Sequence, residues 1–195
     1  MDSSKLAVKF FVETPSGLKT DADFVPVFHR WIQTRAVPEH QLIDVADYAH
    51  VKDGPGTVLI SHEANFHADL GGGRLGLLYT RKQPLAGNSF PQRLRETFAH
   101  ALRACALLED EESLRGRIRF RTDESVFRIY DRLHAPNTQE TFNAIRGDLE
   151  EVLRDLYRSD VQVAYHSHSE NLFEVTLRAP ASVPVPALLE RASHP

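Results

Sequence analysis

The sequence is short of the residues that staple or anchor a chain. Its 195 residues include one cysteine, one methionine and one tryptophan, and 18 of its 23 basic residues are arginines. A single cysteine, Cys105, cannot close an internal disulfide, which excludes a disulfide scaffold and points to a reducing compartment. The opening Met1-Asp2-Ser3-Ser4-Lys5 has neither the basic nor the apolar region of a secretory signal, so the expected location is cytoplasmic. No apolar run approaches the roughly 18 to 20 residues that cross a bilayer, and no membrane partner is expected. An excess of one charge is lacking too: 27 acidic against 23 basic residues leave a net charge of -4. Such a balance attracts nucleic acid weakly, and nucleic acid is not an expected partner.

What is present reads as alternating strand and helix patterns. Leu6, Val8, Phe10 and Val12 alternate with Ala7, Lys9, Phe11 and Glu13, the period-two signature of a strand that ends at Pro15-Ser16-Gly17. Asp23 then precedes Phe24, Val27, Phe28, Trp31 and Ile32 at helical spacing, as an acidic N-cap would. Residues 42–51, 57–69 and 75–81 predict a three-strand meander, joined through a four-residue loop at 52–55 and through Gly71-Gly72-Gly73. In its long middle strand Val58, Ile60, Ala64, Phe66 and Ala68 are expected to face the core.

Ser89 with Gln92 forms a capping box for a helix to about Asp110, its stripe running through Leu94, Phe98, Ala101, Cys105 and Leu108. A hairpin is predicted from 118–121 and 127–130 about a turn at 122–125. A helix capped by Asn137 and Glu140 follows, then a second hairpin around His166 to Asn171. The segment 179–195, with Pro180, Pro184 and Pro186, is expected to be an extended or loosely docked tail. Hairpin connections dominate, so the expectation is an α+β fold of antiparallel sheet with about three helices, in the order β-α-β-β-β-α-β-β-α-β-β. Residues 1–178 are read as one domain whose halves, about 1–85 and 89–178, share a core.

Several chemistries lack their signatures. There is no phosphate-binding Gly-rich loop opening a helix, no cysteine pair for zinc and no nucleophile elbow. His62 and His67 are five apart in a strand pattern and do not make a zinc-protease motif.

Four constellations remain. If residues 42–51 and 57–69 pair so that their numbers sum to 107, Asp47 and His62 become diagonal neighbours on an apolar face, a candidate acid-base pair. Its bland counterpart is a hydrogen bond that sets register. On the opposite face the same register places Asp44 against Glu63, with His67 nearby, and a divalent metal would relieve that repulsion. A solvated sheet surface is the alternative. His166 and His168 share one face of the last hairpin. Finally, residues 115–132 carry six arginines against three acids, and Arg119, Arg121 and Arg128 are candidates for an anionic ligand, or else simply pair with neighbouring acids. The resulting expectation is a noncatalytic protein that binds a small molecule or protein partner, as a homodimer. The alternatives are an Asp/His or metal-dependent hydrolase-like enzyme and an anion-binding protein.

Overall fold

The computed structural model describes residues 5–14, 17–51, 54–84, 89–167 and 172–193. The strands are β1 (Leu6–Val12), β2 (Leu42–Asp47), β3 (Thr57–Ser61), β4 (Ala64–Asp69), β5 (Gly76–Arg81), β6 (Phe120–Ile129), β7 (Gln162–Tyr165) and β8 (Phe173–Arg178). The helices are α1 (Val25–Thr34), α2 (Phe90–Asp110), α3 (Gln139–Tyr157) and α4 (Val185–Ser193). All eight strands join one antiparallel sheet in the order β2-β3-β4-β5-β1-β6-β8-β7, so the fold is α+β. None of the described helices is long and apolar enough to cross a membrane.

One cross-strand row explains where the core lies. Val45, Leu59, Phe66, Tyr79, Val8, Phe127, Val175 and Tyr165 are successive partners across all eight strands. Their side chains share a face, because facing residues in a ladder point the same way, and that face packs against all four helices in one apolar cluster. The adjacent row reads Asp44, Ile60, Asn65, Thr80, Ala7, Arg128 and Glu174, and lies on the helix-free face. There Lys9, only 1% exposed, reaches Asp69 Oδ2 at 2.5 Å and donates to the carbonyls of Gly71 and Arg74. All three ammonium donors are thus used, and the 70–74 loop is tied to β1. Gly76 makes room for this: a Cβ there would lie 2.4 Å from the Phe10 carbonyl and 2.8 Å from Lys9 Cε.

The strand total agrees with the pattern reading, but the strands are distributed differently. The long strand at 57–69 is two strands folded back at His62–Glu63, with Leu59 opposite Phe66. Facing numbers there sum to 125, so odd residues of β3 share a face with even residues of β4. Leu59 therefore enters the core, while Val58 and Ile60 join Asn65 and His67 on the other side. The hairpin expected at 118–130 is instead the single strand β6, irregular against β1 between Phe10 and Val12. Its turn-like acids serve as ion-pair partners: Asp123 takes a two-point contact from Arg121, and Glu124 takes one from Arg74.

The segment after 179 contains α4, which buries Val185, Leu188 and Ala192 against the core. Thr122 Oγ1 donates to the Val183 carbonyl and accepts from its N–H, which fixes the approach to that helix. The capping box at Ser89 and Gln92 forms as read. Thr138, not Asn137, caps α3. Asp23 lies in a π-helical turn before α1, where it accepts from Lys19 N–H and pairs with Arg117.

Candidate functional site

The Asp47/His62 pair does not assemble. The observed register sets Asp44 opposite Ile60 and Asp47 opposite Thr57, because the connection from β2 spans residues 48–56 and is closed by Tyr48 N–H to the Gly56 carbonyl. His62 sits in the turn at the far end of β3, five residues or roughly 17 Å along the strand from the Asp47 level. Both side chains are exposed, and Asp47 accepts from the Ala49 amide. Asp53, part of the expected turn, lies outside the described residues.

The proposed metal ligands are also separated. Asp44 accepts from the next residue's amide, Glu63 accepts from Gln41 N–H, and His67 is interior to β4. No three His, Cys, Asp or Glu side chains among the described residues form a group able to hold a metal ion. Of the arginines, Arg119 and Arg121 line one groove of about 750 Å³ with Glu13, Glu109 and Asp123, whereas Arg128 is on the helix-free face, paired with Glu174 at 2.5 Å. His166 contacts Thr176, and His168 lies outside the described residues.

A different cluster does assemble, from three parts of the chain that the pattern reading did not connect. His40, in the α1–β2 loop, is 6% exposed; Tyr79, on the core face of β5, is fully buried; His100 comes from α2. The His40 ring meets His100 edge-on at 4.7 Å between centroids and Tyr79 at 5.7 Å, while Tyr79 and His100 are 5.5 Å apart. His40 Nε2 lies 3.1 Å from Tyr79 Oη, and Arg81 Nη1 donates to the same oxygen at 3.4 Å. A guanidinium can only donate, so the phenol accepts from Arg81, and the arrangement that leaves the fewest buried polar atoms unmet has the phenol O–H donating to His40 Nε2. The neutral His40 ring then carries its hydrogen on Nδ1, a buried atom with no hydrogen-bond partner.

Burial governs the acid-base character of this cluster. It is the largest influence holding His40 down to about 4, aided by the nearby Arg81 charge. Burial, then the neighbouring His40, holds His100 down to about 4 as well. Burial also pushes the Tyr79 phenol up to about 12. At neutral pH the two imidazoles and the phenol are all uncharged hydrogen-bonding groups.

His40 forms part of the wall of a cleft of about 600 Å³, together with Ile32, Arg35, Pro38, Glu39, Gln41, Leu42 and Glu63. Partial burial raises the Glu63 carboxyl, but the Gln41 amide and nearby imidazoles hold it, on balance, below its usual range. The cleft therefore presents the Glu63 carboxylate and is walled in part by the His40 ring.

The helix-free face carries a second polar cluster. Both ring nitrogens of His67, Asn65 Oδ1 and Thr80 Oγ1 are buried without hydrogen-bond partners, and burial brings His67 down to about 4. Asp69, two residues along the strand, is already held by Lys9. Cys105 is buried in the core, which pushes its thiol up.

Little in the sequence marked the first cluster. Tyr79 looked like any core aromatic of its strand, His100 adjoined an apolar helical stripe, and His40 followed Pro38 in a connecting segment. No protein-family model matches the chain, and no curated protein matches it.

Proposed function

We propose that this protein is a noncatalytic binding protein and that the His40 cleft holds a small polar ligand. The observation that carries this reading is the neutral His40 ring in the wall of a cleft that also holds Glu39 and Glu63, its buried Nδ1 lying just behind that wall without a hydrogen-bond partner. An unmet buried polar atom costs about 1–3 kcal/mol, so a small shift of the cleft wall that lets a ligand group reach Nδ1 is favoured. Glu63 then receives an amine or hydroxyl of the same molecule. Weak basicity argues against proton transfer: a base near 4 is poorly matched to chemistry at neutral pH, where a general base works best with a value near the ambient pH.

The test is thermal-shift screening of the purified protein with amino alcohols, amino-acid amides and monosaccharides, with native mass spectrometry to detect a retained ligand. One class should stabilise the native protein and lose that effect in His40→Phe, which keeps a ring but no hydrogen bonds. If no compound stabilises, or the variant responds equally, the reading is wrong.

The proposal includes a cytoplasmic homodimer. Its support is the small group of exposed apolar side chains Ile43, Tyr48 and Val51 around the outer edge strand β2. Sedimentation at micromolar concentration giving the mass of one chain would remove it. A second reading, binding of an anionic ligand, is favoured by the presence of Arg119 and Arg121 in one groove. It predicts affinity for phosphate compounds that falls steeply with salt and with Arg119→Gln.

A further inference from the structure

We infer that the ligand of the His40 cleft is a zwitterion on an apolar body, the chemistry of an apolar amino acid or a short apolar peptide, with Arg35 receiving its carboxylate and Glu63 its ammonium. This rests on the reading of that cleft as a binding site and names the class of molecule it takes. Three charged side chains line the cleft, and Glu39 is already paired with Arg103 at 2.7 Å. Arg35 has no ion pair or side-chain hydrogen bond among the described residues. Glu63 accepts one backbone N–H, from Gln41 at 2.8 Å, and has no ion pair among them. The lining thus offers one unmatched positive and one unmatched negative group. A simple anion or a simple cation satisfies only one of the two, whereas a zwitterion satisfies both with charge-assisted hydrogen bonds. Ile32, Pro38 and Leu42 supply apolar wall for the rest of the molecule.

Arg35 also stands where glycine is the usual residue. It closes α1 in the left-handed region, at φ 52° and ψ 47°, with its N–H donating to the Ile32 carbonyl. Glycine takes up that conformation without cost, whereas a side chain there is strained. No contact of the guanidinium within the described chain offsets the strain, and the residue lies in the cleft wall. Left-handed residues other than glycine recur at ligand clamps. The wall beyond it is fixed by successive residues: Glu39 to Arg103, His40 to Tyr79, and Gln41 N–H to Glu63, while the Gln41 carbonyl accepts from His62 N–H. The loop is therefore ordered before a ligand arrives, which lowers the cost of binding.

Calorimetric titration at neutral pH tests this with L-leucine and the dipeptide Leu-Leu, which carry both charges. The comparison probes are isoamylamine and isocaproate, each of which keeps the side chain of leucine and one charge. Leucine or Leu-Leu should bind at least about tenfold more tightly than either one-charge probe, and the tighter of the two tells amino acid from peptide. Arg35→Gly should weaken that binding by about tenfold and leave isoamylamine unchanged. Glu63→Gln, whose amide oxygen can still accept from Gln41, should weaken it as much and leave isocaproate unchanged. Because glycine suits the left-handed position, Arg35→Gly should unfold at no lower urea concentration than the native protein, so the affinity lost is not folding lost. Equal affinity for two-charge and one-charge probes, or unchanged affinity in Arg35→Gly, overturns the inference. Leucinol binding as tightly as leucine, with both lost in His40→Phe, overturns it while the cleft remains a binding site. Absence of binding by every compound, those of the wider screen included, overturns the cleft reading as well.

Discussion

Tyr79 shows how much one hydroxyl can organise. It accepts from Arg81 and donates to His40 inside the core, so Tyr79→Phe leaves two buried polar groups without a partner. The expected loss is about 1–3 kcal/mol in urea unfolding, with a weakened response to any ligand of the His40 cleft. Lys9 is a stronger case, being almost wholly buried with every donor engaged. Burial, the largest influence, holds its ammonium below the usual range against the pull of Asp69. Lys9→Met strands the Asp69 carboxylate and should cost about 3–5 kcal/mol, whereas Lys9→Met with Asp69→Leu should regain much of that loss. A single variant no less stable than the native protein would show that the pair contributes little.

At the scale of elements, close approach and capping make the sharpest predictions. Gly76 lies where Lys9 crosses from β1 towards Asp69, and its missing side chain is what lets the Phe10 carbonyl come so near. Gly76→Ala must displace backbone, so it should destabilise by more than about 1 kcal/mol, checked by the urea midpoint. Ser89→Ala removes one half of the capping box of α2 and should cost about 1 kcal/mol by the same measurement. These elements were unevenly legible. Capping and helical spacing revealed α2 because both are local. Fold-back at His62–Glu63 was hidden because a two-residue turn without glycine left the alternation looking continuous. The acids at 122–125 resembled a turn until their arginine partners, one of them distant at Arg74, were in view.

For the whole molecule, three histidines that folding takes largely out of water make stability depend on pH. His40, His67 and His100 each stand near 4 when folded against an ordinary value of 6.5. Between those values the unfolded chain binds protons that the folded chain refuses, so stability falls as pH drops from about 6.5 to about 4 and this contribution then levels off. Each histidine accounts for up to about 3 kcal/mol, and because the His40 and His100 rings touch, their effects do not simply add. Urea unfolding at pH 7.5, 5.5 and 4.5 should follow this slope, and His67→Asn should flatten it. A pH-independent midpoint across the window would mean that the native protein binds protons at these rings as readily as the unfolded chain does. The carboxylates of Asp23, Asp123 and Glu124, held low on balance by arginine partners despite burial, lose their contribution only at lower pH.

The α+β class, the antiparallel pairing and the course of α2 were determined by the sequence alone, because alternation, helical spacing and capping are short-range properties of neighbouring residues. The register of β2 on β3 was not, since the long 48–56 connection imposes no pairing and a shift of a few residues moved Asp47 away from His62. Nor was the site: His40, Tyr79 and His100 are separated by 39 and 21 residues, and only the folding of a loop and a helix onto one face of the sheet brings their rings together. Their neutrality is likewise tertiary, because burial arises only when the distant parts have closed around them.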